Sequence, residues 1–241
     1  MTIAVLSDIH GNLPALEAVI ADAMARGATA FVNLGDIVSG PLWPRETADL
    51  LMRLDWPTIA GNQERQLLSD APADLGPSDR FAREALTDAQ LAWLAGLPGT
   101  LDYAADIFLC HGTPASDGHY LLEDVGPDGA YPAAPGAVAQ RIAGRSERII
   151  LCGHSHLARL IWLEGGRIVA NPGSVGLPAY ADDQPHYHVM EAGSPRARYA
   201  LLEDGGVDLL EVDYDFTAAA AKANREGRSD WAFALRTGRA R

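Results

Sequence analysis

The chain has 241 residues, enough for one large domain, and its 48% hydrophobic and 21% charged residues are typical of a globular protein. A formal net charge of −13 disfavours broad binding to nucleic acids or anionic membranes, because both require clustered lysine and arginine. No basic segment precedes the first apolar run and no apolar run approaches the roughly 18 residues of a membrane span, so we expect neither a signal peptide nor a membrane protein. Two cysteines at the ends of apolar runs, Cys110 and Cys152, predict a cytoplasmic protein with reduced thiols.

Strands and helices are predicted to alternate in the first part of the chain. Short apolar runs predict strands at Ile3–Ser7, Thr29–Leu34 and Pro57–Ala60. Helical spacing of apolar residues predicts a helix after Asn12, which is a good N-cap residue, and a second helix over Pro44–Leu54. This order implies a largely parallel sheet with functional loops at the carboxyl ends of its strands.

The middle of the chain is predicted to leave the sheet and return to it. Leu67–Pro98 predicts a helical excursion that packs beside the sheet or over the site. Apolar runs at Asp106–Cys110 and Arg148–Cys152 predict buried strands, and Val138–Ile142 predicts a helix. Between them, Asp117–Pro135 is rich in Gly, Pro and Asp and predicts an irregular loop.

The last third predicts hairpins followed by helices. The hairpins are Leu160–Leu163 with Arg167–Ala170, and Arg198–Leu202 with Val207–Val212. Tyr180–Pro195 predicts a flexible insertion, and Asp215–Arg225 and Trp231–Arg236 predict terminal helices at about 215–236. Because no repeat or linker interrupts the pattern, we expect a single domain over residues 1–241.

Polar side chains that can bind metal ions stand where the predicted strands end. Asp8 and His10 are two apart in an extended segment, so they point to the same side. The full set is Asp8, His10, Asp36, Asn62, His111, His154 and His156. Seven oxygen and imidazole ligands are too many for one ion but suit two ions that share a carboxylate, and they fit Mn, Fe, Zn or Ni. Taken one by one, these residues could instead be a helix cap, turn residues and core histidines.

The order of these motifs resembles the calcineurin-like metallophosphoesterase family. Asp-x-His, Gly-Asp, Gly-Asn-x-Glu, His and Gly-His-x-His follow one another from Asp8 to the Asn171–Ser174 turn. The segments His111-Gly-Thr-Pro114 and Asn171-Pro-Gly-Ser-Val-Gly176 resemble its compact bacterial and archaeal phosphodiesterase branch. The resemblance implies an α/β fold, namely a four-layer α/β sandwich of two mixed β-sheets flanked by helices.

The resemblance also implies a metal-dependent phosphoesterase that hydrolyses phosphodiesters of small phosphorylated substrates. Asp8, His10 and His156 would bind one ion and Asn62, His111 and His154 the other, with Asp36 bridging them. Asp36, Asn62 and His111 would therefore lie at the centre of catalysis. Two divalent ions, manganese first and iron, nickel, zinc or magnesium as alternatives, would supply a hydroxide nucleophile and offset charge at phosphorus.

Gln63 departs from the family pattern. Better-known members carry His at the third position of Gly-Asn-x-Glu, where it protonates the leaving oxygen, whereas Gln donates a hydrogen bond but no proton. Either His119, His186 or His188 replaces this acid, or the leaving group departs easily, or turnover is slow. We therefore expect aryl phosphodiesters to be hydrolysed far better than alkyl phosphomonoesters.

Three further residues are candidates for supporting roles, and other functions stay open. Glu64 is expected to orient the Asn62 loop, while Asn12 and Ser174 are candidates for substrate contact, with helix capping and turn formation as alternatives. A catalytically inactive scaffold of the same fold is one alternative function, and a nucleotide-polyphosphate hydrolase or protein phosphatase is another. Ala60 disfavours the phosphatase, because protein phosphatases of the family carry Arg at that position.

Overall fold

Two mixed β-sheets organise the chain, which the computed structural model describes over residues 1–68, 75–104 and 106–241. The strands are β1 (Ile3–Leu6), β2 (Ala30–Asn33), β3 (Thr100–Ala104), β4 (Ile107–Cys110), β5 (Glu123–Gly126), β6 (Gly129–Pro132), β7 (Ile149–Leu151), β8 (Arg159–Leu163), β9 (Arg167–Asn171), β10 (Ala179–Asp182), β11 (His188–Glu191), β12 (Ala197–Glu203) and β13 (Gly206–Val212). One sheet has the order β13-β12-β1-β2 and the other β3-β4-β7-β9-β8.

The α-helices are α1 (Leu13–Ala25), α2 (Pro44–Leu54), α3 (Asn62–Leu67), α4 (Pro77–Ala85), α5 (Asp88–Ala95), α6 (Pro135–Arg141), α7 (Phe216–Arg225) and α8 (Ser229–Thr237). The first of them begins as the sequence predicts, since the Asn12 side chain accepts a hydrogen bond from the backbone of Ala15 and Pro14 lies in the first turn. No helix among the described residues is long and apolar enough to cross a bilayer.

Parallel pairing sets the direction of the strands that lead to the candidate site. In the first sheet β1 runs parallel to β2 and antiparallel to β12, and in the second sheet β4, β7 and β9 run parallel to one another. Each of these parallel strands therefore delivers the loop after it to the carboxyl edge of its sheet.

The side chains of the strands alternate between two apolar layers. Ile3 and Val5 point between the sheets, where they meet residues of the second sheet such as Leu109 and Leu151. The other faces carry helices: the first sheet packs on α1 and α2, and the second packs on α6. The order helix, sheet, sheet, helix follows from this period-two alternation, and it confirms the predicted four-layer α/β sandwich.

Three predictions of local structure were wrong. The predicted strand Pro57–Ala60 forms only an isolated bridge between Asn33 and Thr58, and helix α3 begins directly after it. The predicted irregular loop Asp117–Pro135 contains the β5–β6 hairpin, and the predicted flexible insertion Tyr180–Pro195 contains the β10–β11 hairpin. Both hairpins are separate two-stranded sheets in which most residues are only partly buried or exposed, so their sequences lack the apolar runs that mark the central strands.

Helices α4 and α5 lie within the range predicted as a helical excursion, and residues 69–74 of that range lie outside the described residues. Helix α5 begins at a capping box formed by Thr87 and Gln90, as its sequence spacing predicts. Gln90 also donates hydrogen bonds to the backbone of Arg45 and to Asp49, which ties this segment to α2.

Candidate metal centre

The candidate ligands stand on tight turns after the strands, and most of these turns have unusual backbone conformations. Five of the seven residues have positive φ angles: Asp8 (55°), His10 (51°), Asp36 (54°), His154 (70°) and His156 (60°). A residue with a Cβ occupies this left-handed region at a cost of roughly 1–2 kcal/mol. Such strain at one place in a fold is typical of a functional site, and no sequence pattern predicted it.

Backbone hydrogen bonds hold these turns against one another. The amides of Asp8 and His10 donate to the carbonyls of Gly35 and Asp36, at 3.0 Å in both cases, so the loop after β1 lies directly against the loop after β2. In the second sheet the amide of Gly153 donates to the carbonyl of His111 at 2.7 Å. The positions of the ligand turns are therefore fixed by main-chain contacts.

The first ligand set consists of Asp8, His10 and His156, whose ligand atoms all lie within 4.8 Å of one another. The Nε2 atoms of the two histidines are 3.1 Å apart, and Nε2 of His156 is 3.3 Å from Oδ1 of Asp8. All three residues are buried. These are the residues that the family resemblance assigns to one metal ion.

Backbone carbonyls orient the imidazole rings of this set. Nδ1 of His10 lies 2.8 Å from the carbonyl oxygen of Ser39, and Nδ1 of His156 lies 2.6 Å from that of Leu177. Because a carbonyl oxygen only accepts hydrogen bonds, each Nδ1 carries a proton. In the neutral rings the lone pairs are therefore on Nε2, the atoms that face each other and Asp8.

The second set consists of Asp36, His111 and His154, whose ligand atoms also lie within 4.8 Å of one another. Nε2 of His111 is 3.3 Å from Oδ2 of Asp36 and 3.1 Å from Oδ1 of Asn62, while its Nδ1 faces the carbonyl of Leu34 at 2.8 Å. The same Nε2 lies 3.9 Å from Asp8 Oδ1 of the first set. The two sets are thus neighbours, and all seven predicted residues meet at one place.

The histidines of the two sets differ in the direction of their pKa shifts. Burial and the neighbouring His156 lower the pKa of His10 to about 4, and burial and His111 lower the pKa of His154 to about 4. Burial alone would lower the pKa of His111, but the carboxylates of Asp36 and Asp8 outweigh it and raise the pKa to about 10. The neighbouring histidines outweigh burial and lower the pKa of both Asp8 and Asp36, so two carboxylates stand beside the neutral imidazoles of His10 and His154, a combination that suits a cation.

The donor set fits divalent metal ions. Oδ1 of Asp8 is buried and accepts no well-aligned hydrogen bond from the described residues, although a buried carboxylate oxygen normally requires a partner. In addition, the lone pairs of His10 and His156 face each other at 3.1 Å, which is unfavourable unless a positive charge lies between them. Imidazole nitrogen and carboxylate oxygen together are ligands for ions such as Mn, Fe, Ni or Zn.

Glu64 connects the turn that contains Asp36 with the turn that contains Asn62. Its Oε2 accepts hydrogen bonds from the amides of Asp36 (2.9 Å) and Gly61 (2.8 Å), and its Oε1 accepts one from Ile37 (2.8 Å). Burial and Asp36 raise the pKa of Glu64 to about 7, against the effect of these three donors. The side chain is buried and touches the ligand turns through their backbone.

Asn12 and Ser174 are buried and hydrogen-bonded to the protein. Asn12 caps α1 and donates to the carbonyl of Gly176 at 2.8 Å and to the hydroxyl of Tyr214 at 3.1 Å. The Ser174 hydroxyl donates to the carbonyl of Asp8 and accepts from the amide of Leu177, both at 2.8 Å. These contacts match the capping and turn roles given as alternatives to substrate binding.

Sequence reasoning missed an aromatic group beside the histidines. The Tyr120 hydroxyl lies 2.8 Å from that of Tyr180 and 2.9 Å from Nε2 of His188, and the Tyr180 hydroxyl donates to the carbonyl of His154 at 3.0 Å. The Tyr120 ring stands 4.7 Å from that of His154. Tyr120 lies in the predicted loop and Tyr180 at the start of the predicted insertion, so no local pattern marked these two tyrosines.

The candidate proton donors occupy different environments. His188 is buried, with Nδ1 at 2.8 Å from the carbonyl of His186. His119 and His186 are exposed, and His119 lines a cavity next to Asn62 and His154. Gln63 is partly buried, and its backbone amide donates a hydrogen bond to Oδ1 of Asp36 at 3.0 Å.

Comparisons with known proteins found a matching family and proteins of similar fold. Residues 1–194 match the calcineurin-like phosphoesterase superfamily domain. The uncharacterized protein MJ0912 of Methanocaldococcus jannaschii is 25% identical over 95% of this chain and 94% of its own. A metallophosphoesterase from Sphaerobacter thermophilus has a similar structure, with a TM-score of 0.77 at 24% identity over 99% of each chain. The hypothetical protein PH1004 of Pyrococcus horikoshii also gives a TM-score of 0.77, at 20% identity over 98% of each chain.

The fold and the two ligand sets define a metallophosphoesterase architecture. This chain belongs to the calcineurin-like phosphoesterase superfamily, as the sequence resemblance indicated. The two solved structures cover both chains almost completely, so the similarity of fold extends past residue 194 into the C-terminal helices.

Proposed function

We propose that this protein is a dinuclear-metal phosphodiesterase whose ions are bound by Asp8, His10 and His156 on one side and by Asn62, His111 and His154 on the other, with Asp36 shared. The observation that carries the proposal is the contact between two largely buried ligand sets, each within 4.8 Å internally and linked by the 3.9 Å separation of His111 Nε2 and Asp8 Oδ1.

Two divalent ions, when bound, polarise phosphoryl oxygens and activate water for attack on phosphorus. The residues of the chain prepare the site for this chemistry. Backbone carbonyls hold Nδ1 of His10, His111 and His156, so that Nε2 faces the site in each. The Glu64 carboxylate fixes the turn of Asp36 by accepting a hydrogen bond from the backbone amide of Asp36. Burial of the site strengthens the interactions between its charges.

Gln63 determines which esters we expect the protein to hydrolyse. The backbone amide of Gln63 donates a hydrogen bond to Asp36 Oδ1, and Gln63 lines the cavity beside His10 and His156. A Gln side chain stabilises a departing oxygen by a hydrogen bond but does not protonate it. The substrate class that suits this site is a diester with a good leaving group, such as an aryl phosphodiester.

The proposal is tested with bis(p-nitrophenyl) phosphate, p-nitrophenyl phosphate and an alkyl phosphate, each assayed with Mn, Ni, Zn and Mg in turn. We expect the diester to be hydrolysed fastest, chelator to abolish turnover, and Asp36→Asn to lower the rate by at least ~100-fold. Asp208→Asn, at an exposed position on β13, is the matched control. A folded protein that binds two ions but hydrolyses none of these esters would be the inactive scaffold, and the proposal would be wrong.

A further inference from the structure

Two cavities adjoin at the candidate metal centre. The first has a volume of about 460 Å³ and borders His10, Asp36 and His156. The second has a volume of about 700 Å³ and is lined by Thr113, Tyr120 and Val125, among others. Both cavities border Asn62, His154 and Asp182, so each opens onto the same two candidate ligands.

The walls of the two cavities come from different parts of the fold. Helix α8 forms a wall of the first cavity with Trp231 and Ala234, and Tyr180 on β10 lies on its lining as well. The β5–β6 hairpin contributes Val125 to the second cavity. The cavities are therefore separate spaces that meet beside Asn62 and His154.

The arginines at these cavities are mostly engaged with carboxylates of the protein. Arg65 binds Asp117 through two hydrogen bonds, at 2.7 and 2.8 Å, in the second cavity. The other ion pairs are Arg141 with Asp124 and Arg228 with Asp230. Arg241 also lines the first cavity, where its guanidinium lies over the Phe233 ring. Each lining carries three carboxylates against two arginines, with Asp182 at the junction. Apart from bound metal ions, this lining offers little attraction to further phosphate groups.

We propose that the two cavities form one groove that holds the two organic substituents of a phosphodiester, one substituent in each cavity, and that both substituents are uncharged and at least the size of an aromatic ring. The inference rests on the proposed phosphodiesterase function and names its substrate class. Each volume falls within the roughly 300–1,000 Å³ of sites that bind drug-sized molecules, so each cavity has room for such a group. A phosphomonoester would leave one cavity filled only with water.

The test uses ligands that cannot be hydrolysed. Diphenylphosphinate carries two rings on phosphorus, and methyl(phenyl)phosphinate carries one. Titration calorimetry of the manganese-loaded protein should show that diphenylphosphinate binds roughly tenfold more tightly than methyl(phenyl)phosphinate, because burying a second ring removes more apolar surface from water.

Matched substitutions separate the two cavities. Ala181 lines the first cavity and not the second, and Ala115 lines the second and not the first. Both residues are exposed, so tryptophan at each position is chosen to fill its own cavity. Ala181→Trp and Ala115→Trp should each remove most of the advantage of the second ring, whereas Ala21→Trp, on the exposed side of α1, should leave it unchanged. Melting temperature and metal content verify that each variant is folded, and Ala181→Leu and Ala115→Leu replace any tryptophan variant that is not.

Every outcome decides the question. If either substitution leaves the two-ring advantage intact, that cavity does not hold a substituent and the proposal is wrong. If both remove it but the unmodified protein hydrolyses no diester, the proposed function fails while the groove stands. If diesters are hydrolysed and neither substitution alters binding, the function stands and the groove is refuted.

Discussion

At the scale of single residues, Glu64 shows how strongly the candidate centre depends on a side chain outside the ligand sets. Both of its carboxylate oxygens accept hydrogen bonds from backbone amides: Oε2 accepts from Asp36 and Gly61, and Oε1 accepts from Ile37. Glu64→Gln keeps one acceptor oxygen, but the NH2 group of its side-chain amide then faces a backbone N–H, which is also a donor. We expect metal affinity to fall roughly 10–100-fold, as for other residues that orient ligands.

Calorimetric titration of manganese into the metal-free protein measures this change. Glu17→Gln is the control, since Glu17 is an exposed glutamate on α1 and lies outside the ligand turns. Unchanged affinity in Glu64→Gln would show that the turn of Asp36 keeps its geometry without this contact.

Gln63 gives a second prediction at this scale. Gln63→His would introduce a proton donor next to the cavity that borders His10 and His156. The rate with an alkyl leaving group should rise by as much as ~100-fold, while the rate with p-nitrophenolate, which needs no proton, should change little. Steady-state kinetics on both kinds of diester, with Gln140→His at an exposed position of α6 as control, measure the difference. An equal effect on both leaving groups would contradict the role assigned to this position.

The candidate metal ligands could be predicted from the sequence because each is a polar side chain at the end of an apolar run. Asp8, Asp36 and His111 all follow buried strands, which a one-dimensional pattern reveals. It did not reveal the left-handed backbone of the ligand turns, because that conformation is imposed by contacts such as the amide of Asp8 on Gly35. Nor did it reveal Tyr120 and Tyr180, which meet only through tertiary structure.

At the scale of secondary-structure elements, a buried ion pair joins β5 to β8. Nε of Arg159 lies 2.9 Å from Oε1 of Glu123, and their side chains are 29% and 1% exposed. Arg159→Met would leave Glu123 buried without its partner. We expect a loss of about 3 kcal/mol in the free energy of unfolding near neutral pH, since breaking a buried pair costs roughly 3–5 kcal/mol.

The pH dependence of this loss follows from the titration of Glu123. Burial raises the pKa of Glu123 above its ordinary value of 4.5, although Arg159 opposes the shift. A raised pKa favours the protonated form in the folded state, so stability falls as pH rises through the folded pKa. The penalty in Arg159→Met should therefore shrink as pH falls toward 4.5, and Glu123→Gln in the same chain should recover part of it.

Denaturant unfolding between pH 4.5 and 7.5 measures these changes. Arg196→Met is the control, because the Arg196 side chain is 50% exposed in its pair with Asp213 and should give no comparable loss. A penalty for Arg159→Met that does not vary with pH would indicate that lost packing, and not the Glu123 charge, is responsible.

The wrongly predicted strand Pro57–Ala60 has a physical explanation at the same scale. Its apolar residues are used to bring Gly61 against Gly35, so close that a Cβ on Gly35 would lie 2.4 Å from the Gly61 amide nitrogen. This approach places Asn62 next to Asp36 and leaves only one bridge to the sheet. Burial patterns identify an apolar segment but not whether it pairs with strands or positions a turn.

At the scale of the whole molecule, the C-terminal residues complete the structure around the candidate metal centre. They lie beyond residues 1–194, the part that matches the family domain, yet β12 pairs with β1, the strand that leads to Asp8. Helices α7 and α8 pack in a separate apolar cluster with Leu42 and Leu177. This segment therefore supports the centre from two sides, through the sheet and through the helices.

Trp231 on α8 is the contact through which this segment reaches the ligands. Its ring stands edge-on to His10 with centroids 5.9 Å apart, and it packs so closely on Gly40 that a Cβ there would lie 2.5 Å from the indole. Trp231→Ala should lower the free energy of unfolding by about 3–5 kcal/mol, as for other buried aromatic residues. It should also weaken metal binding, because the ring that supports His10 is removed.

Trp162→Ala is the control, because it removes an indole that is 60% exposed, whereas Trp231 is 7% exposed. It should cause neither the loss of stability nor the loss of metal affinity expected for Trp231→Ala. Denaturant unfolding of the metal-free proteins measures the packing contribution, and manganese titration measures the effect on the ligands. If Trp231→Ala loses stability but binds manganese as the unmodified protein does, α8 is a packing element alone. If both fall, the C-terminal helices contribute to the metal centre through His10, a residue more than 200 positions earlier in the chain.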